Sequence, residues 1–400
     1  RSSMNNVLET KTWNYYGAAT WTLGDHDVKF GAEYSENEVY NFFAQDFWGN
    51  YTFYGLDNFA AGIWSSYGVR AETSPGSIPA NYTSKSTALF LQDTWYPNAN
   101  LTLTFGVRVD KPDATPKPEY NPLAETVFGY NNSEIFNGDW IVQPRFGFNY
   151  TFDSEYRTQL RGGIGLFQGD APSVWIGNAY SNTGLNALFY GTYNTYRPDL
   201  PFTTDGLNQP RPATAGSGTQ TPALIGHDFE LPSVWKANLA IDHELPWHGI
   251  VASAELMLTD VKSGMYYSDL NLGPGYTSPV DGRTLYYRPA ATGRAWTSGD
   301  ARFGRDSRFG NVYLIDNTGK GKSQQLTVSL NKPWSGESDW SWNLGYTYTN
   351  ATEVAGLTSS TANSGYNYSY VFNSGEDVSS TARYEIRDRF SGSLNWRHAF

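Results

Sequence analysis

The residues with chemical potential are scattered through the sequence. The five histidines, His26, His227, His243, His248 and His398, show no metal-ligand spacing, and solvated or structural roles are expected for them. There is no Gly-x-Ser-x-Gly elbow, and the GKGKS stretch with Lys320 and Lys322 lacks the upstream glycine of a phosphate loop. Paired carboxylates such as Glu33 with Glu255, or Asp139 with Asp170, would suit glycoside hydrolysis if they stood about 5–10 Å apart across a cleft. Nothing in the sequence singles out such a pair. With no cysteine, disulfides and thiolate metal sites are excluded. The chain therefore reads as a non-enzyme, with no catalytic residue, metal or cofactor expected. What stands out is aromatic. Trp48, Tyr51, Tyr54, Trp64 and Tyr67 cluster in one polar stretch, and Trp175, Tyr180, Tyr190, Tyr193 and Tyr196 in another. Flat rings stack on sugars, chelators or peptides with little entropy loss. Trp48, Tyr54, Trp64, Trp175, Tyr180 and Tyr193 are thus the ligand-contact candidates. The commoner fate of such rings is burial against one another in a small core between loops.

The elements that must position these residues are strands. Helical periodicity is almost absent, while stretches of ten or more residues alternate with period two. In 101–110, Leu101, Leu103, Phe105, Val107 and Val109 share one face, opposite Thr102, Thr104, Arg108 and Asp110. Similar ribbons are expected at 12–23, 26–36, 84–96, 141–152, 157–167, 234–246, 250–262, 323–333, 340–350 and 388–400, about eleven strands in all. Only 84–96 is ambiguous, because Asp93 shares the face of Leu89, Leu91 and Trp95. Arg108, Arg145, Arg161, Lys236, Glu244 and Glu255 all fall on the polar face.

The connections alternate. Short turns rich in Gly, Pro, Asn and Asp join strands in pairs at 24–25, 97–100, 153–156, 246–249 and 333–339, whereas long polar segments at 38–81, 111–140, 168–233, 273–322 and 351–386 separate the pairs. A water-soluble domain rarely carries so many long loops, and the strands of a β-sandwich usually run only about 5–6 residues. A transmembrane barrel combines strands of about 9–11 residues with short turns at one end and long loops at the other. In hydrocarbon only helices and closed barrels satisfy the backbone. The fold class expected is therefore all-β, an antiparallel transmembrane β-barrel with long extracellular loops. Trp21, Trp95, Trp247, Trp334 and Trp340 lie beside short turns and would form a membrane girdle in contact with outer-membrane lipid. Arg108, Arg145, Arg161 and Glu255 would line the inner wall, facing water or a plug.

Composition narrows the classes further. The 400 residues carry 28 basic and 39 acidic side chains, a net charge of −11, so nucleic acid is not an expected partner. Aromatics at 16% argue against disorder.

Several segments resemble the TonB-dependent outer-membrane receptors. ALFLQDTWYPNANLTLTFGVRVD at 88–110 is similar to a strand–turn–strand unit of that family, and QPRFGFNYTF at 143–152 followed by RGGIGLFQG at 161–169 is similar to a second. The aromatic, Asn-rich insertions and DRFSGSLNW at 388–396 look most like the Oar-like, OmpA-related subgroup. The resemblance implies a barrel of about 22 strands, a plug domain and a TonB-type energy-coupling partner in the inner membrane. This sequence shows neither plug nor TonB box, so residues 1–400 are expected to be one partial barrel domain, about half the strands. Phe400, with Trp396, Leu394 and Phe390 at even spacing, also resembles a terminal assembly signal. The expected function is uptake of a scarce solute from the cell surface, through the outer membrane of a Gram-negative bacterium. The alternatives are a surface adhesin or surface-organising barrel, and a passive porin.

Overall fold

The computed structural model describes residues 4–135, 138–170, 173–193, 196–211, 219–286, 305–335, 338–357, 359, 361–369 and 371–397. Strands β1 (Asn5–Leu23) and β2 (His26–Ala44) form a hairpin. A long loop then carries β3 (Asn50–Thr52), α1 (Leu56–Ala60) and β4 (Ser66–Glu72). The next hairpin is β5 (Ala80–Asn98) with β6 (Leu101–Thr115), followed by α2 (Pro122–Phe128). Next come β7 (Ile141–Phe152) and β8 (Thr158–Gln168), then α3 (Ser173–Ser181), β9 (Ala187–Tyr193) and β10 (Ala223–Ile225). The fourth hairpin, β11 (Ser233–Glu244) with β12 (Val251–Asp269), leads into β13 (Tyr276–Thr277), β14 (Thr284–Leu285) and β15 (Tyr313–Thr318). The fifth is β16 (Lys322–Lys332) with β17 (Trp340–Glu353), and α4 (Ala362–Asn367), β18 (Ser380–Thr381) and β19 (Asp388–Trp396) complete the chain.

One 14-stranded sheet dominates, in the order β1-β2-β5-β6-β7-β8-β11-β12-β16-β17, with β18 and β19 both on β17. Three of its strands, β10, β15 and β18, are short loop segments that carry no period-two signal of their own. β10 runs parallel to β15, an exception to the antiparallel rule that only loop-to-loop contact could create. Among the described residues, β1 pairs only with β2 and β19 only with β17.

Register turns the alternation of single strands into rows. Leu101, Tyr150, Leu160, Ile241, Ala254, Val328, Tyr346 and Phe390 are successive cross-strand partners from β6 to β19. The neighbouring row, one residue along, reads Thr102, Asn149, Arg161, Ala240, Glu255, Thr327, Thr347 and Arg389. One face is therefore apolar across eight strands and the other is polar. Among the described residues nothing packs on the apolar face: Leu239, Ile241, Leu256, Leu258, Leu326, Leu330 and Leu344 are all exposed. A row of bare Leu and Ile that size is the signature of contact with something other than water. Close pairing also explains the glycine run in β8: a Cβ on Gly163 would come within 2.7 Å of the Phe146 carbonyl oxygen.

Several strands are longer than the alternation predicts, and β12 shows why. From Leu256 to Lys262 its even-numbered residues are exposed, whereas from Ser263 to Asp269 its odd-numbered, polar-face residues are buried. At that height the long loops fold over the polar face, so the pattern that distinguishes two solvents ends although the ladder continues. The buried core lies in these loops. Tyr82, Ile176, Tyr180, Ile225, Phe229 and Tyr267 share one cluster, Phe309 and Val312 sit in a second, and Trp64, Tyr67, Val69 and Leu200 in a third.

Candidate functional site

The polar face is cross-linked by its own side chains. Arg108 on β6 donates through Nη1 to Glu33 on β2 at 2.8 Å and through Nη2 to Asp110 at 2.8 Å. Gln143 on β7 donates to the other Asp110 oxygen at 2.6 Å. Arg161 Nε donates to Asp242 at 3.1 Å, Ser253 donates to the same carboxylate, and Asn238 donates to Glu255 at 2.9 Å. The Arg108–Glu33 bridge reaches across β5 from β6 to β2, the Arg108–Asp110 contact lies within β6, and the others join neighbouring strands, so these charges are held in fixed positions. Arg145 differs: it is exposed and lies over the Phe167 ring at 4.7 Å.

The five tryptophans beside short turns lie at the end of the sheet opposite the loop cap. Trp21 is 62% exposed, and Trp247, Trp334 and Trp340 are also exposed. Trp95 stacks on His26 with ring centroids 5.5 Å apart. The same His26 reaches Asp93 at 2.9 Å, which explains the odd carboxylate in 84–96: it sits near the turn with a partner.

The aromatic ligand candidates separate by packing. Trp64 is 1% exposed and donates its Nε1–H to the Leu200 carbonyl at 2.9 Å. Tyr180 is 7% exposed, stacks on Tyr82 at 4.5 Å and donates to the Pro116 carbonyl. Both are core residues of the cap, where loops distant in sequence meet, and burial pushes the Tyr180 phenol well above the ordinary tyrosine range. Trp175 is half-buried and tied to the Ser359 carbonyl at 2.9 Å. Trp48 is half-buried against Phe47. Tyr54 is 70% exposed on its loop, where its carbonyl accepts from Asn58 at 2.7 Å. Tyr193 ends β9, its backbone paired with Ser66, and its side chain lies outside the described residues.

The cap holds a half-open cavity of about 420 Å³, which periodicity does not announce. This is within the range of about 300–1,000 Å³ typical of small-ligand pockets. Segments of four long loops and their flanking strands build it. Helix α3 turns Val174, Gly177, Asn178 and Ser181 toward it, the i, i+3, i+4, i+7 face of a helix. The N-terminal end of α4 adds Ala362, Asn363 and Ser364, and β15 with its lead-in adds Asn311 and Tyr313. The opposite wall is Asn41, Phe43 and Gln45 from the end of β2, with Arg70 from β4. The first wall is prearranged: Tyr313 donates to Asn363 at 2.5 Å, Asn311 donates to the Tyr313 hydroxyl at 2.6 Å, and Asn178 caps the Ala362 amide. Trp48, Tyr54, Trp64, Trp175, Tyr180 and Tyr193 are not among the residues lining it.

Comparison with known proteins follows from this geometry. A protein-family description, "Outer membrane beta barrel domain", matches residues 2–400. No curated protein sequence matches the chain. The outer membrane transporter YddB from Escherichia coli is similar in fold, with a TM-score of 0.53 at 11% identity, covering 99% of this chain and 41% of that one. The siderophore receptor PirA from Pseudomonas aeruginosa aligns with a TM-score of 0.45 at 14% identity, covering 87% of this chain and 45% of that one. The chain spans less than half the length of these solved structures.

Proposed function

Because the chain belongs to the outer membrane beta barrel domain family, we propose that it is the solute-binding part of a TonB-dependent type of receptor in the Gram-negative outer membrane, of the Oar-like kind. Its extracellular cap captures a scarce solute for energy-coupled uptake. The observation that carries this reading is the division of the sheet. Its apolar rows are bare, its polar rows carry bridged charges, and the long loops fold over the polar face at one end around a cavity, the arrangement that a lipid-facing wall and a capped passage need. A passive pore gains nothing from such a cap.

Two features of the reading concern what surrounds the sheet. In lipid an unpaired strand edge is costly, so β1 and β19 pair with further strands that complete a barrel of about 22 strands. Arg108, Arg145, Arg161 and Glu255 then line a lumen occupied by a plug domain, which passes the energy of a TonB-type partner to the bound solute. Trp21, Trp95, Trp247, Trp334 and Trp340 anchor the turn side at the headgroups.

The test uses the complete gene product in its own outer membrane. Saturable solute accumulation that stops when the inner-membrane proton gradient is collapsed, and that falls when the loop containing 173–193 is deleted, is the expected result. Steady ion conductance of the purified receptor in planar bilayers, or loss of cell attachment with unchanged accumulation after the same deletion, would favour the pore or the adhesin instead.

A further inference from the structure

The unusual residue of the cap cavity is Arg70. Among the described residues it is the only charged side chain in the cavity wall, in a chain of net charge −11. Its Nε is sealed from solvent and has no hydrogen-bond partner, while the residue as a whole is half-buried. Asp46 acts on it only through space, and its backbone is fixed separately, with the Arg70 amide donating to the Asp46 carbonyl at 3.0 Å. Burial holds the guanidinium below its ordinary value, partly offset by Asp46, yet it stays charged. A sealed Nε–H without a partner is costly to keep, and an occupant of the cavity would supply the missing acceptor.

The remaining lining identifies that partner further. Beside Arg70, the side-chain amides of Asn41 and Gln45 also lack hydrogen-bond partners among the described residues. Across the cavity, Asn178, Asn311 and Asn363 are already oriented by the network through Tyr313 and the α4 cap. Each Asn or Gln amide offers one acceptor and two donors, the complement of a peptide unit in either direction. A ring on which a sugar could stack is hard to find. The Tyr313 ring is buried against Tyr366 at 5.4 Å, and Phe43 is half-buried. Among the described residues no carboxylate lines the cavity to receive sugar hydroxyls or a cation.

We propose that the cavity between α3, α4 and β4 binds a short peptide by its free C-terminal carboxylate, clasped by Arg70, with its amides matched by the Asn and Gln side chains. This rests on the receptor reading above and names its solute class. A guanidinium and a carboxylate form a bidentate pair, which gives the sealed Nε–H an acceptor in place of water. About 420 Å³ limits the occupant to a few residues.

The experiment is calorimetry on the full-length receptor in detergent micelles, with three probes: N-acetyl-trialanine, its C-terminal amide, and digalacturonate. The expected result is saturable binding of the free acid at least about tenfold tighter than the amide, the scale of one charge-assisted pair. Arg70→Gln should erase that difference, and Arg70→Lys should restore part of it. Asn41→Ala should weaken acid and amide alike, which keeps the test informative should Arg70→Gln fail to keep the heat-modifiable gel mobility of a folded barrel. Equal affinity for acid and amide, tighter binding of digalacturonate, no saturable binding of the acid, or an unchanged acid preference in folded Arg70→Gln would overturn the proposal. Binding by purified protein needs no energy source, so the two readings fail separately. Peptide binding without uptake would sink the transport reading alone, and uptake of another solute without peptide binding would sink this one alone.

Discussion

Replacing Trp64 with alanine should melt one lobe of the loop cap and leave the transmembrane sheet intact. The lobe is the three-stranded sheet β3-β4-β9 together with the chain around Leu200. Trp64 is its largest buried side chain, 1% exposed, with ring centroids 5.8 Å from Tyr67 and 5.4 Å from Tyr196. Truncating a buried Trp costs about 3–5 kcal/mol. The lost Nε1–H also strips the Leu200 carbonyl of its 2.9 Å partner, a further penalty of about 1–3 kcal/mol if the carbonyl stays buried. A lobe of three short strands has little stability of its own, so a combined loss of about 4 kcal/mol or more exceeds what it can absorb. The assay is hydrogen exchange with mass mapping on the full-length receptor in detergent. Protection should vanish across 50–72 and 187–202 while β11, β12, β16 and β17 keep theirs. Trp64→Phe, which retains most of the ring and loses the donor, should cost about 1–2 kcal/mol and give partial protection. Tyr54→Ala, at a position 70% exposed, should change nothing measurable. Full protection of 50–72 in Trp64→Ala would refute the assignment of this ring to the loop core and return it to the ligand candidates.

Three other outcomes are expected. Arg108→Ala removes the partner that Asp110 and Glu33 share and leaves Asp110, 4% exposed, with Gln143 alone. The sheet should lose about 3 kcal/mol, read as a lower denaturant midpoint for the folded gel mobility, with Arg108→Lys recovering part. Leu256→Arg puts a charge on the bare apolar face and should cost about 2–4 kcal/mol in bilayers, whereas Met257→Arg on the polar face should cost far less. Equal penalties would undo the assignment of faces. Hydrogen bonds from Arg308 hold the Asp306 carboxyl down to about 2, below its value of about 3.9 in an unfolded chain. The stability it contributes is therefore fully present above about pH 4 and lost as pH falls through about 2. Proteolysis of 305–312 should accelerate across that window, and Asp306→Asn should flatten the dependence.

Much of the sheet was legible because alternation is local. Residues i and i+2 of a strand share a face whatever else the chain does, so Leu256 and Leu258 were assigned together, opposite Glu255, without knowledge of any neighbour. Turn residues locate hairpins in the same local way, and β7 begins and ends where the alternation does. The strand ends were less legible. Beyond Ser263 both faces of β12 meet protein or water, so its residues no longer sort by solvent.

The cap was decided by tertiary structure alone. Trp64 and Tyr54 are aromatic residues of one loop, yet one is sealed and the other bare. The difference is that Trp64 meets Leu200, 136 residues away, a contact with no trace in local composition. Arg70 carried no signal either, since a single Arg in a polar loop is normally solvated. Its significance arises because four loops close around it and, among the described residues, none gives its Nε a hydrogen-bond acceptor. Sequence alone determined which solvent each strand face meets, because that depends on spacing within a strand. Which loop residues became core and which became cavity depended on contacts between distant segments, and only the folded chain sets those.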